Sequence, residues 1–461
     1  MAQSHSVEVL DHFQISPPPG LIPTSKSLPL TFFDLPWLLC RPMQSLFFYD
    51  LPHSIVYLMH NILPALKTSL SLTLRHFFPL AGNLLCPPPP HKPYILFDDR
   101  DWVSLTVAKS TVDFNQVISD HERDVRELHP FVPNLPSARV TPDGTRVVPL
   151  LAVQITLFPN SGLCIGVQFR HVVADGMAFN HFMKFWASML RSSGEQPLPS
   201  YDRAMVKDPN GLESIFLEEW FNWASSWDYN MGSTPDEQLA DKVRATFVME
   251  REHIDRLKCR VSVQHRDSNP GKLHVSTFVV TCALTWVSLI KSQEEIGVGD
   301  PVDDDKLYYL SFVADCRQRL EIKLPATYFG NCLAICFVPV KRSELLAGNG
   351  IVAAAKAIGN KIKELEGGVL RGAGKWLSNW KEVSEEGRLI TIAGSPNLRV
   401  YETDFGWGRP RKRELVQIDV SGAIYISERR DRESGVEVGL ALPRSRMDVF
   451  NAIFGQCLKQ I

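Results

Sequence analysis

The sequence predicts a mixed fold, α/β (α+β), divided into two domains, and three observations carry that expectation. The chain has 461 residues, too many for one ordinary hydrophobic core. Apolar residues recur with a period of two in some segments and near 3.6 in others, so strands and helices are both expected. These segments do not alternate regularly as strand, helix, strand, which separates the chain from a doubly wound parallel sheet.

Proline punctuates the N-terminal part. Pro17-Pro18-Pro19 precedes the first apolar segment, and Pro87-Pro88-Pro89-Pro90 follows Cys86. Both read as turns or surface loops with short polyproline stretches. Over residues 54–78, Leu58, Ile62, Leu66, Leu70, Leu74 and Phe77 lie at helical spacing. Pro64 inside that run predicts two helices or one kinked helix. Residues 149–158 and 162–171 read as strands joined by a turn at Pro159-Asn160-Ser161-Gly162. In the second strand Leu163, Ile165, Val167 and Phe169 share one face, and Cys164, Gly166, Gln168 and Arg170 the other. His171 continues the first set and is expected to face the packed side, although a histidine at such a strand end can project into a cleft instead of the core. From Met177 the period turns helical, through Phe179, Phe182, Met183, Trp186, Met189 and Leu190.

Residues 192–209 are polar and carry Gly194, Pro197, Pro199 and Pro209, the pattern of an interdomain crossover. The expected division is an N-terminal domain at 1–191, a linker at 192–225 and a C-terminal domain at 226–461. Beyond the linker, a strand at 243–249 leads into a helix at 250–261. A polar loop at 265–271 precedes a long apolar element at 278–290. A helix is expected at 351–365, and a closing hairpin from 416–427 and 436–442. The last helix, 447–458, gathers Met447, Phe450, Phe454, Cys457 and Leu458 on one face. No repeat of 20–50 residues stands out.

Hydrophobic residues make up 44% and charged residues 22%, ordinary for a globular protein. The net charge of −2 gives no footprint for nucleic acid or a membrane surface. The stretch 278–290 is too short and too rich in Thr and Ser to span a bilayer. Met1-Ala2-Gln3-Ser4-His5-Ser6 lacks the basic-then-apolar pattern of a signal peptide, so a cytosolic location is expected. The nine cysteines include no Cys-x-x-Cys pair. Cys332 and Cys336 lie four apart in an apolar run with no second pair to complete a zinc site. Reduced, buried thiols are expected, with no metal and no permanently bound cofactor.

Two motifs carry chemistry. The first is Arg170-His171-Val172-Val173-Ala174-Asp175-Gly176, where a strand gives way to a helix. An imidazole there can act as a general base, taking a proton from a hydroxyl as its oxygen attacks a thioester, then protonating the departing thiolate. Asp175 can pair with an arginine and hold the turn, or orient the ring. The plainer reading is a buried histidine satisfied by backbone, with Asp175 capping the following helix. A metal pair has this spacing too, but no third ligand is evident. The second motif is Asp404-Phe405-Gly406-Trp407-Gly408, two glycines flanking a tryptophan. It reads as a brace, with Asp404 accepting hydrogen bonds or pairing with a cation. Arg409-Pro410-Arg411-Lys412-Arg413 follows at once, a solvated surface in the ordinary case and a phosphate contact beside a CoA site. No Gly-x-Ser-x-Gly elbow, Walker loop or helix-opening Gly-x-Gly-x-x-Gly occurs, which removes support for a serine hydrolase, a P-loop enzyme or a Rossmann oxidoreductase.

In this order and separation, the two motifs resemble those of the plant BAHD acyltransferase family. The resemblance covers nearly the whole chain, through Leu30-Thr31-Phe32-Phe33-Asp34, Phe78-Pro79-Leu80-Ala81-Gly82-Asn83, Val206-Lys207-Asp208-Pro209 and Asp315-Cys316-Arg317. Tyr328-Phe329-Gly330-Asn331-Cys332 resembles the signature of the anthocyanin and phenolic glucoside malonyltransferase-like branch. The resemblance implies two chloramphenicol-acetyltransferase-like domains with a solvent channel at their interface, acyl-CoA entering from one side and a glycoside from the other. It implies that His171 is the catalytic base and that Asp175 is structural, turned from the channel, with Arg317 as its candidate partner. Asp404, Gly406, Trp407 and Gly408 would shape the site without joining the chemistry. Lys272, Ser276, Thr277, Arg409 and Arg411 are the candidates to bind CoA, the co-substrate, and Thr391 and Ser395 the candidates to meet the oxyanion or acceptor.

Two departures matter. Arg170 stands where many relatives have a smaller or imidazole side chain, and by strand parity it points away from His171. Thr391-Ile392-Ala393-Gly394-Ser395 lacks the tryptophan of quinate- and shikimate-type relatives, which favours a glycoside acceptor. The expected donor is malonyl-CoA, with a hydroxycinnamoyl-CoA such as coumaroyl-CoA next. Other classes of function would be a non-catalytic acyl-CoA or metabolite-binding protein, and thioester hydrolysis. A monomer is expected by resemblance alone.

Overall fold

Alternating apolar residues build two large sheets, and each takes one strand from the far part of the chain. A computed structural model describes residues 7–20, 25–192, 196–224, 236–266, 273–297, 305–431 and 434–460. The first sheet has six strands in the order Val7–Ile15, Val103–Ser110, Leu151–Phe158, Gly162–Phe169, Met43–Asp50 and Lys412–Leu415. The second has seven, in the order Leu333–Lys341, Leu307–Asp315, Leu389–Ala393, Ile424–Glu428, Gly435–Pro443, Lys242–Glu250 and Arg123–Asp124. A smaller five-stranded sheet, which includes Asn83–Cys86 and Arg146–Pro149, completes the first half. Lys412–Leu415 thus joins the N-terminal sheet, and Arg123–Asp124 the C-terminal one.

Leu151–Phe158 and Gly162–Phe169 pair antiparallel from Leu151↔Phe169 to Phe158↔Gly162. Asn160 takes a positive φ of 62° in the turn between them, a conformation asparagine tolerates better than most residues. Every residue of both strands is buried. Leu163, Ile165 and Val167 enter the main core, while Cys164 enters a smaller cluster with Leu46, Phe48, Phe114 and Phe131. The helix Gly176–Arg191 buries Phe179, Phe182, Met183 and Trp186. It lies against the helix Leu63–His76, where the Trp186 indole donates to Ser69 Oγ at 3.0 Å.

Several expectations change in detail. Residues 55–76 form one helical run, Ile55–Tyr57, Leu58–Ile62 and Leu63–His76, with a π turn in the middle. Pro64 stands just after that wide turn, which relieves the clash its ring would make with an α-helical preceding turn. Residues 416–421 are not strand: Ile418–Ser421 is a single helical turn closed by Gly422 at φ 67°. The hairpin is therefore Ile424–Glu428 against Gly435–Pro443. The expected linker carries the helix Leu212–Ala224, which buries Leu212, Phe216, Leu217 and Trp220, an apolar stripe at helical spacing. The helix Arg251–Arg266 extends into the expected loop at 265–271. Gly194, Lys272 and residues 267–271 lie outside the described residues, as do Met1 to Ser6.

The apolar element at 278–290 belongs to the helix Thr277–Glu295, buried nearly all round. Thr285 Oγ1 donates to Thr281 O and Ser292 Oγ to Leu289 O, both at 2.8 Å, so these hydroxyls are satisfied by the helix itself. The last helix, Arg444–Lys459, buries Met447, Phe450 and Phe454. All nine cysteines are free thiols. Six are buried, Cys40 and Cys457 half-buried, and Cys259 exposed, contrary to the expectation of burial. No helix among the described residues is long and apolar enough to cross a membrane.

The basic run at 409–413 is not a solvated surface throughout. Lys412 and Arg413 are buried, because strand Lys412–Leu415 inserts between the halves. Glu414 on this strand meets Arg123 from the N-terminal half, and Arg244 Nη2 at 2.7 Å from the C-terminal half. Arg244 Nη1 also contacts Asp419 at 2.8 Å, and His129 Nε2 contacts the same carboxylate at 3.2 Å. Lys412 pairs with Asp120 and donates to Thr246 Oγ1 at 2.9 Å. Burial alone would raise the Glu414 pKa, but Arg244, Lys412 and Arg123 outweigh it and hold it down to about 2.

Glu414→Gln leaves buried cations without their counter-charge, so unfolding by denaturant is expected to show a loss of about 3–5 kcal/mol. The Glu414 pKa is depressed on folding. Its contribution is therefore full above the unfolded value of about 4.3 and disappears as pH falls toward the folded value. An unchanged acid-side stability slope in the variant would refute this role.

Candidate active site

The strand Gly162–Phe169 ends two residues before His171, and the turn His171–Val173 is 3₁₀. Strand parity therefore does not place His171. The turn does, leaving the ring half-buried and stacked on Trp37 with centroids 4.0 Å apart and planes at 15°. Arg170 sends its Nε to Pro149 O at 3.1 Å. Asp175 is the N-cap of Gly176–Arg191, accepting from Ala178 N at 2.9 Å, as the plainer reading foresaw.

His171 Nδ1 lies 3.0 Å from Asn331 Oδ1. The Asn331 amide can point only one way. Its Nδ2 faces three acceptors, Asp34 Oδ1 at 3.1 Å, His171 O at 3.0 Å and Val172 O at 3.1 Å. Its Oδ1 therefore faces the ring and accepts from Nδ1–H, an assignment the network dictates. The ring proton sits on Nδ1, and Nε2 keeps its lone pair. Burial lowers the His171 pKa, against the opposing pull of Asp175 and the Asn331 hydrogen bond. The imidazole is neutral at neutral pH.

Asp175 also reaches across the halves. Arg317 Nη1 and Nη2 donate to its two oxygens at 2.8 and 3.0 Å, and Cys332 N donates to Oδ2 at 3.1 Å. Asp175 is fully buried and Arg317 nearly so. Burial disfavours the Arg317 charge, but Asp175 and Asp315 outweigh it and push its pKa up. The expected partnership of Asp175 with Arg317 is thus present. Orientation of the ring falls instead to Asn331, Trp37 and the Asp34 behind Asn331. Those residues stood in the quoted segments Leu30 to Asp34 and Tyr328 to Cys332, or just beyond, but sequence reading gave them no role. The available signal was that both segments carry a polar residue with no place in an apolar core.

Asp404 accepts from Gly406 N at 2.7 Å and Gly408 N at 3.0 Å, and Arg191 approaches it at 3.8 Å. The glycines have φ of 100° and 87°, which favours their type. Phe405 meets Trp186 edge-on at 5.1 Å, and Tyr49 lies edge-on to both Phe405 and Trp407. This loop grips the C-terminal end of the helix that Asp175 starts. Its contact at Trp186 lies about 17 Å along the axis from Asp175, so it braces the helix and not the imidazole.

The remaining candidates are dispersed. Ser276 caps the helix Thr277–Glu295, accepting from Val279 N, and Thr277 is its first residue. Lys272 lies outside the described residues. Arg411 is exposed and paired with Asp50, and Arg409 lies near Glu402. Thr391 lies opposite Ser311 in the second sheet. Ser395 Oγ accepts from Asn397 N, capping the turn Pro396–Leu398. That turn touches the site helix, since Asn180 Nδ2 donates to Leu398 O.

Asp175→Asn is expected to lose about 3–5 kcal/mol by leaving Arg317 buried without its counter-charge. A double-mutant cycle with Arg317→Met, read by thermal unfolding, would show strong coupling. Additive losses would sink this pairing as the site's staple.

The Transferase family profile matches residues 6–456. A coumaroyl-CoA:anthocyanidin 3-O-glucoside-6''-O-coumaroyltransferase of Arabidopsis thaliana is 42% identical over 98% of both chains. A phenolic glucoside malonyltransferase of the same plant is 39% identical over 94% of both. A malonyl-coenzyme A:anthocyanin 3-O-glucoside-6''-O-malonyltransferase of Dahlia pinnata is 37% identical over 98% of both. Among solved structures, vinorine synthase superposes with a TM-score of 0.68 at 21% identity over 96% of each chain. TRI101 of F. graminearum, complexed with coenzyme A and T-2 mycotoxin, gives 0.65 at 15% identity over 93% of this chain and 97% of that one. These structures establish the two-domain, chloramphenicol-acetyltransferase-like fold. The chain belongs to the Transferase family and is a BAHD acyltransferase.

Proposed function

We propose that this enzyme transfers an acyl group from acyl-CoA to a sugar hydroxyl, the 6-hydroxyl, of an anthocyanin, flavonoid or other phenolic glucoside, with His171 as general base. The hydrogen bond from His171 Nδ1 to Asn331 Oδ1 carries the reading. It leaves Nε2 unprotonated on a ring that burial keeps neutral. Nε2 takes the hydroxyl proton as the sugar oxygen attacks the thioester carbonyl. The carbon–sulfur bond breaks, the CoA thiolate takes the proton back from Nε2, and the ester leaves. No acyl-enzyme forms. Trp37, flat against the ring, limits its rotation.

Relatives at 42% and 40% identity are named for coumaroyl-CoA, and those at 39% and 37% for malonyl groups. This order favours a hydroxycinnamoyl donor over the malonyl donor preferred from sequence alone. The remainder of the reading is a cytosolic monomer, acyl-CoA being a co-substrate.

His171→Ala is expected to lose about 10²–10⁴-fold in kcat while keeping its circular dichroism spectrum. Near-normal turnover would defeat the mechanism. In the wild type, kcat/KM should hold through neutrality and fall only below the ordinary imidazole value of about 6.5, because the His171 pKa is lowered.

CoA release with coumaroyl-CoA and malonyl-CoA, against anthocyanin and flavonol glucosides, decides the donor. Release without any acceptor would point to thioester hydrolysis. Binding without release across the panel would point to a carrier.

A further inference from the structure

Asp34 is fully buried. Oδ2 accepts from Thr31 N and Thr31 Oγ1, both at 2.9 Å, and Oδ1 accepts from Asn331 N at 2.9 Å and Asn331 Nδ2 at 3.1 Å. All four partners are donors, which suits a carboxylate. Asn331 sits between this carboxylate and the base, one end of its amide on Asp34 and the other on His171 Nδ1. The amide is polarised by the charge behind it.

Arg203 lies near enough to feel the charge of Asp34. Its Nη1 donates to the Tyr328 hydroxyl, and its guanidinium lies 5.0 Å from that ring. Gly330, next to Asn331, has φ 150°, and a Cβ there would meet Arg203 Nη1 at 2.3 Å. The guanidinium therefore packs directly on the loop that holds Asn331. Arg203 Nε and Nη2 are shut off from solvent and have no hydrogen-bond partner among the described residues. Burial opposes the Arg203 charge, but Asp34 and Tyr328 more than restore it.

We propose that Asp34 is a positioning residue for the His171 base, its carboxylate stabilising, through the Asn331 amide, the imidazolium formed as the hydroxyl is deprotonated, with Arg203 setting the strength of that field. This rests on His171 being the base. The proton moves only from the hydroxyl to Nε2, and Nδ1 keeps its own. Two carboxylates, Asp175 and Asp34, act on the ring through space, and each interacts with an arginine, Arg317 and Arg203. Asp315 shares Arg317, Tyr328 lies between the two arginines, and Arg170 precedes His171 but is turned to Pro149 O.

The test is the pH dependence of kcat/KM for acyl transfer in Asp34→Asn and Arg203→Met, alongside ¹⁵N NMR titration of the histidine rings. Asp34→Asn should lower kcat by about tenfold or more with little change in KM for acyl-CoA, and move the acid limb down by about half to one pH unit. Arg203→Met, with the cation gone and Asp34 still charged, should move the limb up. A structural role alone would lower turnover in both and move neither. Limbs that stay in place, or shift in the same direction, overturn the proposal. If Asp34→Asn does not fold, Arg203→Met decides: a limb unmoved or lowered is fatal. His171→Ala with full turnover would instead remove the base. The ¹⁵N titration of His171 would then still report whether Asp34 acts on the ring.

Discussion

Two consecutive backbone amides, Asn331 N and Cys332 N, are gripped by two buried carboxylates from the other half of the chain. Asp34 takes the first and Asp175 the second. The positions of Asn331 and of the helix cap follow from this double attachment. Asn331 cannot rotate its amide, because the carboxylate that holds its backbone also holds its Nδ2. The helix after His171 cannot slide, because the residue that caps it is anchored to the same loop. Buried carboxylates are costly unless fully satisfied. Here the donors that satisfy them come from the element that must be positioned, so the cost of burial and the precision of the site have one origin.

That arrangement demands that the halves keep a fixed relation over a long distance. Strand exchange supplies it. Lys412–Leu415 hydrogen-bonds to Met43–Asp50, and Arg123–Asp124 to Lys242–Glu250. Glu414 and Arg244 then place opposite charges at the crossing. Neither sheet can be completed by its own half, so separation would break backbone ladders as well as ion pairs. Opening of one half against the other is therefore resisted at two separate ladders.

Much of this was legible in the sequence, where periodicity or a paired motif spoke directly. The strands around Ile155 and Ile165, the helix through Trp186 and the last helix through Phe450 follow from apolar spacing. The pairing of Asp175 with Arg317 came instead from the family resemblance, through the segment Asp315-Cys316-Arg317. What stayed hidden was contact between distant segments. Nothing in the local pattern of Lys412 and Arg413 says that they lie on a strand lent to the other half, so they looked solvated. Asn331 looked like part of a signature with no job, because its job depends on Asp34, nearly 300 positions earlier. The strand-parity argument for His171 failed for a related reason: parity ends where the strand ends, at Phe169.

The loop at 404–408 shows how a site can depend on residues that never approach it. Asp404 ties two glycine amides into a tight turn, and that turn presents Phe405 and Trp407 to Tyr49 and Trp186. Trp186 is in turn fixed by its indole hydrogen bond to Ser69. The site helix is therefore clamped at both ends, by Arg317 on Asp175 at one and by Phe405 on Trp186 at the other. A helix is stiff along its axis, so a displacement at Trp186 is transmitted to the Asp175 cap with little loss. The glycines are required for a geometric reason, since only residues that accept positive φ let the loop close tightly enough to reach the helix. The two motifs are thus coupled through one rigid element, and neither has to touch the other.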